Sequence, residues 1–146
     1  MRDRSEFFRR IKQQYFREQL APLGFQPMDG MMLCFLSGGC LRRQEDIAAQ
    51  TAVDKGAVAR SVARLEERGL IERRVSDQCR REKRVFLTPA GEESVKAIWK
   101  IAEGWNDICY RGFSPEEREL YDRLSSRITE NVMRYKSEER EQTDNG

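Results

Sequence analysis

The residues of this 146-residue chain with the most chemical potential in their type and spacing are cations. Ten of them, Lys55, Arg60, Arg64, Arg68, Arg73, Arg74, Arg80, Arg81, Lys83 and Arg84, fall within thirty residues that hold five acids. That stretch carries +5 in a chain of net charge +2, which leaves −3 for all the rest. A basic segment in a mildly acidic chain suits a phosphate-binding surface, because guanidinium and ammonium groups replace the counterions condensed on a polyanion. A merely solvated charged face would have the same composition, so spacing must decide. Arg60 and Arg64 are four residues apart and share one side of a helix. From there a guanidinium can bridge the O6 and N7 acceptors of guanine or hold a phosphate. Lys55 and Gly56 open the same helix, where a free N-terminus attracts phosphate and a glycine lets backbone approach closely. Arg80, Arg81, Lys83 and Arg84 crowd a second place, beside the tip of a hairpin, within reach of a minor groove or its phosphates.

Other chemistries are poorly supplied. The chain has no histidine, the commonest metal ligand and the usual general base. No paired carboxylates and no phosphate-binding glycine loop are present, so neither an enzyme nor a metal or other cofactor is expected. Cys34, Cys40, Cys79 and Cys109 are scattered without a C-x-x-C pair, which argues against a disulfide framework. Cys79 stands next to Arg80 and Arg81, whose charge favours thiolate and hence oxidation, making it the candidate redox residue. Most free cysteines are inert packing residues. No apolar run approaches the ~20 residues that span a bilayer. Met1–Ser5 leads into amphipathic sequence without the apolar core of a signal peptide. A cytoplasmic protein with no membrane partner is expected.

The elements that must position these groups follow from periodicity and punctuation. A first helix is predicted over Ser5–Leu20, with Phe7, Phe8, Ile11 and Tyr15 on one face and Phe16 and Leu20 on another. Met28–Leu36 reads as a short apolar helix stopped by Gly38-Gly39. Gln44–Gln50 gives a third helix and Thr51-Ala52-Val53 a turn. Asp54 is the N-cap of a fourth, ending before Gly69. Projected at 100° per residue, Val58, Val62 and Leu65 of this helix share a narrow arc, with Arg60 and Arg64 nearly opposite. Ile71–Val75 and Lys83–Leu87 are β-rich runs around a polar turn, hence a hairpin. Thr88-Pro89 starts a fifth helix lined by Val95, Ile98, Ala102 and Trp105. Ser114-Pro115-Glu116-Glu117 is a capping box for a sixth, carrying Leu120, Leu124, Ile128, Val132 and Tyr135.

Helix, turn, helix and hairpin in this order make a winged helix-turn-helix. The expected fold is mainly α with a small β-hairpin wing. It forms a single domain, 1–146, with the winged helix-turn-helix lobe at 28–88 and a helical dimerisation region at 1–25 and 89–137. The polar stretch 138–146 is expected to fray.

The stretch from Asp54 to Ile71, DKGAVARSVARLEERGLI, resembles the recognition helix of the MarR (multiple antibiotic resistance regulator) family. Arg80 to Gly91, RREKRVFLTPAG, is similar to that family's wing and the start of its next helix. The six-helix layout extends the resemblance over nearly the whole chain. The resemblance implies a homodimeric transcription regulator, usually a repressor, bound to a pseudo-palindromic double-stranded operator and released by a small-molecule or redox signal. It implies that Ala59, Arg60 and Arg64 face DNA and that Arg81 enters the minor groove. It also implies a dimer interface from the helices of Phe8, Trp105 and Leu124. A small aromatic effector is implied in a cleft for which Tyr15, Met32, Phe35 and Trp99 are the candidate lining, although aromatic and Met residues at helical spacing are usually core. The sequence departs from the family at Cys79, where an Asp usually precedes the wing arginine; Asp77 lies two residues away. The competing reading is a winged-helix protein-interaction module without specific DNA binding, and the arginine pattern favours the first.

Overall fold

The computed structural model describes residues 4–37, 42–75 and 83–144. In chain order these form α1 (Arg4–Leu20), a single 3-10 turn (Ala21–Leu23), α2 (Pro27–Leu36), β1 (Arg42–Arg43), α3 (Gln44–Thr51) and α4 (Lys55–Glu67). There follow β2 (Ile71–Val75), β3 (Lys83–Leu87), α5 (Pro89–Cys109) and α6 (Pro115–Asp144). Two compact units divide the chain, Met1–Asn106 and Asp107–Gly146.

The first unit is organised around α4. Val58, Val62 and Leu65 have no exposed surface and pack with Ile47 of α3, Met32, Leu33 and Leu36 of α2, and Val95 and Ile98 of α5. Burial of a side chain of this kind contributes about 1.5–3 kcal/mol, so the helix is held by one face. Its ends are chemical. The Asp54 carboxylate accepts a hydrogen bond from the Ala57 N–H at 3.0 Å, satisfying a donor of the first turn. At the other end, Leu70 N–H reaches Leu65 O at 3.0 Å and Gly69 N–H reaches Glu66 O at 2.9 Å. This is a Schellman closure with Gly69 at φ 71°, a conformation glycine adopts without a Cβ penalty.

The chain then turns into the expected hairpin, Ile71 opposite Leu87 through to Val75 opposite Lys83. The sheet, however, has three strands in the order β1-β3-β2, because Arg42 and Arg43 pair antiparallel with Val85 and Arg84. A two-residue strand is too short to leave any alternation in the sequence, and this one went unforeseen. Thr88 joins sheet to α5. Its hydroxyl donates to Gly69 O at 2.7 Å and accepts from Gly91 N–H at 3.1 Å. From α1, Phe8, Tyr15 and Phe16 gather around Trp105, with ring centroids 5.7, 5.2 and 6.3 Å away.

In the second unit, the Ser114 capping box is closed in both directions: Ser114 N–H to Glu117 Oε1 at 3.0 Å, and Glu117 N–H to Ser114 Oγ at 3.1 Å. The helix continues through Asp144 rather than ending at 137. Short-range pairs support the added turns, namely Tyr135 and Lys136 to the Glu139 carboxylate and Thr143 to Glu139 O. Leu120, Leu124, Ile128 and Val132 recur every fourth residue along α6, and all are exposed.

Candidate nucleic-acid interface

The outward side of α4 is built at its N-terminal half. Lys55 and Arg60 are exposed, while Gly56 and Ala59 between them are half-buried and small. A Cβ at Gly56 would stand 3.2 Å from Arg60 Nη1 and 3.1 Å from Asp54 Oδ2. The glycine therefore makes room for the Arg60 guanidinium along the first turn, beside the capping carboxylate. The N–H groups of that turn lie beside the Arg60 guanidinium, with Lys55 at the helix's first position, an arrangement that attracts a phosphate or a base acceptor.

Arg64 is differently placed. Its Nη2 lies 2.7 Å from Asp29 Oδ1 and its Nε 3.3 Å from Oδ2. Asp29, on α2, is only 3% exposed, and its Oδ1 also accepts from Ser61 Oγ at 2.7 Å. The hydrogen bond to Asp29 holds the Arg64 guanidinium more firmly in its charged form, against the opposing effect of burial. Projection had set Arg64 opposite the core, yet it lies only about 60° round the helix from Ser61, and a long side chain spans that angle. Arg68, one turn on, donates to Gly24 O at 2.8 Å and Leu23 O at 3.1 Å, with its guanidinium 4.2 Å above the Phe25 ring. Arg73 pairs with Glu66 at 3.1 Å. Thus much of the basic run serves the fold.

Asp29 and Ser61 are the participants that sequence reasoning missed. Asp29 is the one acid in the apolar helix PMDGMMLCFL, and Ser61 sits within the buried arc of α4, so each stood out as a polar group needing a partner. The identity of that partner, thirty-odd residues away, had no such signal.

On the sheet, register sets Arg43, Arg84 and Arg74 side by side across the three strands. Arg43 is held by Asp46 at 2.7 Å, and Arg74 lies 4.3 Å above the Phe86 ring. Lys83 opens β3 opposite Val75. Arg80, Arg81 and Cys79 lie outside the described residues.

The four residues named as the candidate effector lining differ in exposure. Met32 is wholly enclosed in the core, and Phe35 is half-buried against it. The Tyr15 hydroxyl donates to Ile101 O at 3.1 Å, and Trp99 is 52% exposed. Trp105, on one of the helices implied for the dimer interface, is itself buried within its own chain. Burial raises the Cys34 thiol above its ordinary pKa, which disfavours thiolate there. Among the described residues no three His, Cys, Asp or Glu side chains could hold a metal ion, and no helix is long and apolar enough to cross a membrane.

Three helices packed on one face of α4, closed by a three-stranded sheet, define a winged helix-turn-helix protein. The family model described as MarR family matches residues 23–82. A crystal structure of MarR is 30% identical, with a TM-score of 0.82 over 94% of this chain and 97% of that one. YybA, an HTH-type transcriptional regulator of Bacillus subtilis (strain 168), is 29% identical over 62% of this chain. The chain spans 54–61% of the length of the curated relatives it matches. A MarR-family regulator from Listeria monocytogenes, solved in complex with a 26mer DNA, shares the fold at 20% identity and a TM-score of 0.78 over 91% of each chain. This chain belongs to the MarR family of transcriptional regulators.

Proposed function

We propose that the chain acts as a homodimer that binds a pseudo-palindromic double-stranded operator, represses transcription from it, and is released by a small-molecule or redox signal. The observation that carries this reading is the exposed Arg60 on α4, opposite three fully buried apolar residues, with the exposed Lys55 at the first position of the same helix. A helix gripped on one face and cationic on the other suits a major groove. The arginine row of the sheet adds phosphate contacts, and Arg80, Arg81 and Lys83 supply the wing contact by their place in the sequence. The exposed stripe Leu120, Leu124, Ile128 and Val132 supports a second copy as the partner, since a two-fold contact pairs the same patch with itself. Cys79, beside two arginines whose charge favours thiolate, is the candidate release point for a redox signal, and Tyr15, Met32, Phe35 and Trp99 remain the candidate lining for a small aromatic one.

Fluorescence anisotropy tests the reading, with the duplex upstream of the coding region against a scrambled duplex at two salt concentrations. Preferential binding that weakens steeply with salt is expected. Peroxide should then release the parent protein but not Cys79→Ser. Equal weak binding to both duplexes would favour the protein-interaction alternative, and peroxide release that persists in Cys79→Ser would remove that cysteine from the mechanism.

A further inference from the structure

Four of the arginines closest to the groove-facing helix divide by what they touch. Arg60 is exposed, whereas Arg64, Arg68 and Arg73 each reach a partner in their own chain. The partner of Arg64 is the least ordinary. A carboxylate that is almost wholly buried in an apolar helix is costly unless it is both paired and hydrogen-bonded. Asp29 is both, through Ser61 Oγ, Arg64 Nη2 and Arg64 Nε.

We infer that Asp29 and Arg64 are positioning residues that lock the orientation of α4, and that sequence is read from the N-terminal half of this helix, with Arg60 as the reading arginine. The inference rests on the DNA-binding reading above and assigns roles within it. Its chemical basis is the guanidinium fork. Arg recognises guanine through two parallel N–H donors on one edge. The Nε/Nη2 edge of Arg64 is already committed to Asp29 in that bidentate manner. Turning it toward a base would leave the Asp29 charge buried with only the neutral Ser61 hydroxyl as its partner.

The mechanical basis is where the lock sits. Arg64 ties α4 to α2, and Arg68, one turn further, ties it to the Leu23 and Gly24 carbonyls before α2. Both bonds fall toward the C-terminal end of α4, the second from its C-cap residue. They fix its rotation about its own axis and leave Lys55 and Arg60 at the presented end. A rotation of one residue is about 100° and would carry Arg60 out of the groove, so an anchor that forbids rotation governs which base is met.

The test compares base preferences selected from a pool of randomised duplexes long enough for two half-sites. Arg60→Ala should lose preference at one position in each half-site. Arg64→Gln leaves a buried charge unpaired and should weaken binding by more than about tenfold, evenly across sequences. The double variant Asp29→Asn/Arg64→Gln removes both charges but keeps hydrogen-bonding shapes. It should recover most of that loss and show the parent's preference at every position. A base reader could not be replaced in this way. The inference is overturned if the double variant loses preference at a position the parent reads, or if it binds no better than Arg64→Gln. A parent that enriches no sequence overturns the DNA-binding reading, and the reading role of Arg60 with it. Urea midpoints of the single and double variants separate that failure from a failure of the lock, since recovery of the midpoint in the double reports the Asp29–Arg64 coupling without DNA.

Discussion

Gly91 shows how far a single position constrains this winged helix. A Cβ there would stand 2.1 Å from Leu70 O, a backbone atom that cannot swing aside. The carbonyl is itself fixed by the Thr88 N–H at 3.1 Å, and Thr88 in turn bonds both Gly69 and Gly91. The start of α5 is thus seated against the turn that follows α4 with no room for a methyl group. Gly91→Ala must part the two segments, and overpacking of this kind costs about 1–3 kcal/mol or more. The expected outcome is a lower urea midpoint with an unchanged slope, because the unfolded chain is little altered. A midpoint equal to that of the parent would mean that α5 does not sit as closely as described. At this scale the sequence hid the reason: the glycine is legible in LTPAG, whereas the carbonyl it meets belongs to a turn some twenty residues earlier.

At the scale of elements, what could be read in advance depended on how local the governing chemistry is. The start of α4 at Asp54, its end before Gly69 and the start of α6 at Ser114 each rest on bonds between residues at most five apart, and all three were legible. Both hairpin strands were placed by their β-branched runs. The strand β1 was not, since its two arginines acquire strand character only from β3, some forty residues on. Arg64 fell between these cases. Its helix and approximate side were legible, but the carboxylate that claims it lies on α2. The local boxes also carry a pH signature. Hydrogen bonds from the Ser114 backbone and hydroxyl hold the Glu117 carboxyl below its ordinary 4.5. A carboxylate with a depressed folded pKa stabilises the fold above its unfolded value and loses that contribution as pH falls through the folded one. The stabilisation from Glu117 is therefore full at neutral pH and fades below about pH 4.5. Parent and Glu117→Gln should differ in urea midpoint at pH 7 and converge in acid. A gap that stays constant down to acid pH would show that the charged box contributes nothing.

The whole molecule raises the question of what α6 is for. Its thirty residues bury little of their own apolar surface. A long amphipathic helix draws most of its stability from an apolar face packed against something, not from propensity. Local devices supply part of the answer: the capping box, the Glu139 pairs and the Tyr110–Asp122 bond at 2.9 Å. Surface pairs of this kind contribute only tenths of a kcal/mol each, less than one buried leucine. On the proposed dimer reading, a second copy of the same stripe covers Leu120, Leu124, Ile128 and Val132 symmetrically and supplies what these pairs do not. The consequence reaches DNA binding. Two recognition helices in successive major grooves must sit about 34 Å apart, a spacing that only a fixed dimer can hold. Leu124→Asp combined with Ile128→Asp should therefore yield a monomer by sedimentation. That monomer should keep its winged-helix unit folded and bind single half-sites weakly, losing the advantage of the two-half-site duplex. If the doubly charged variant still sediments as a dimer, the stripe is not the interface. If it is monomeric yet binds the full operator as tightly as the parent, each copy reads DNA alone and the two-fold operator reading fails.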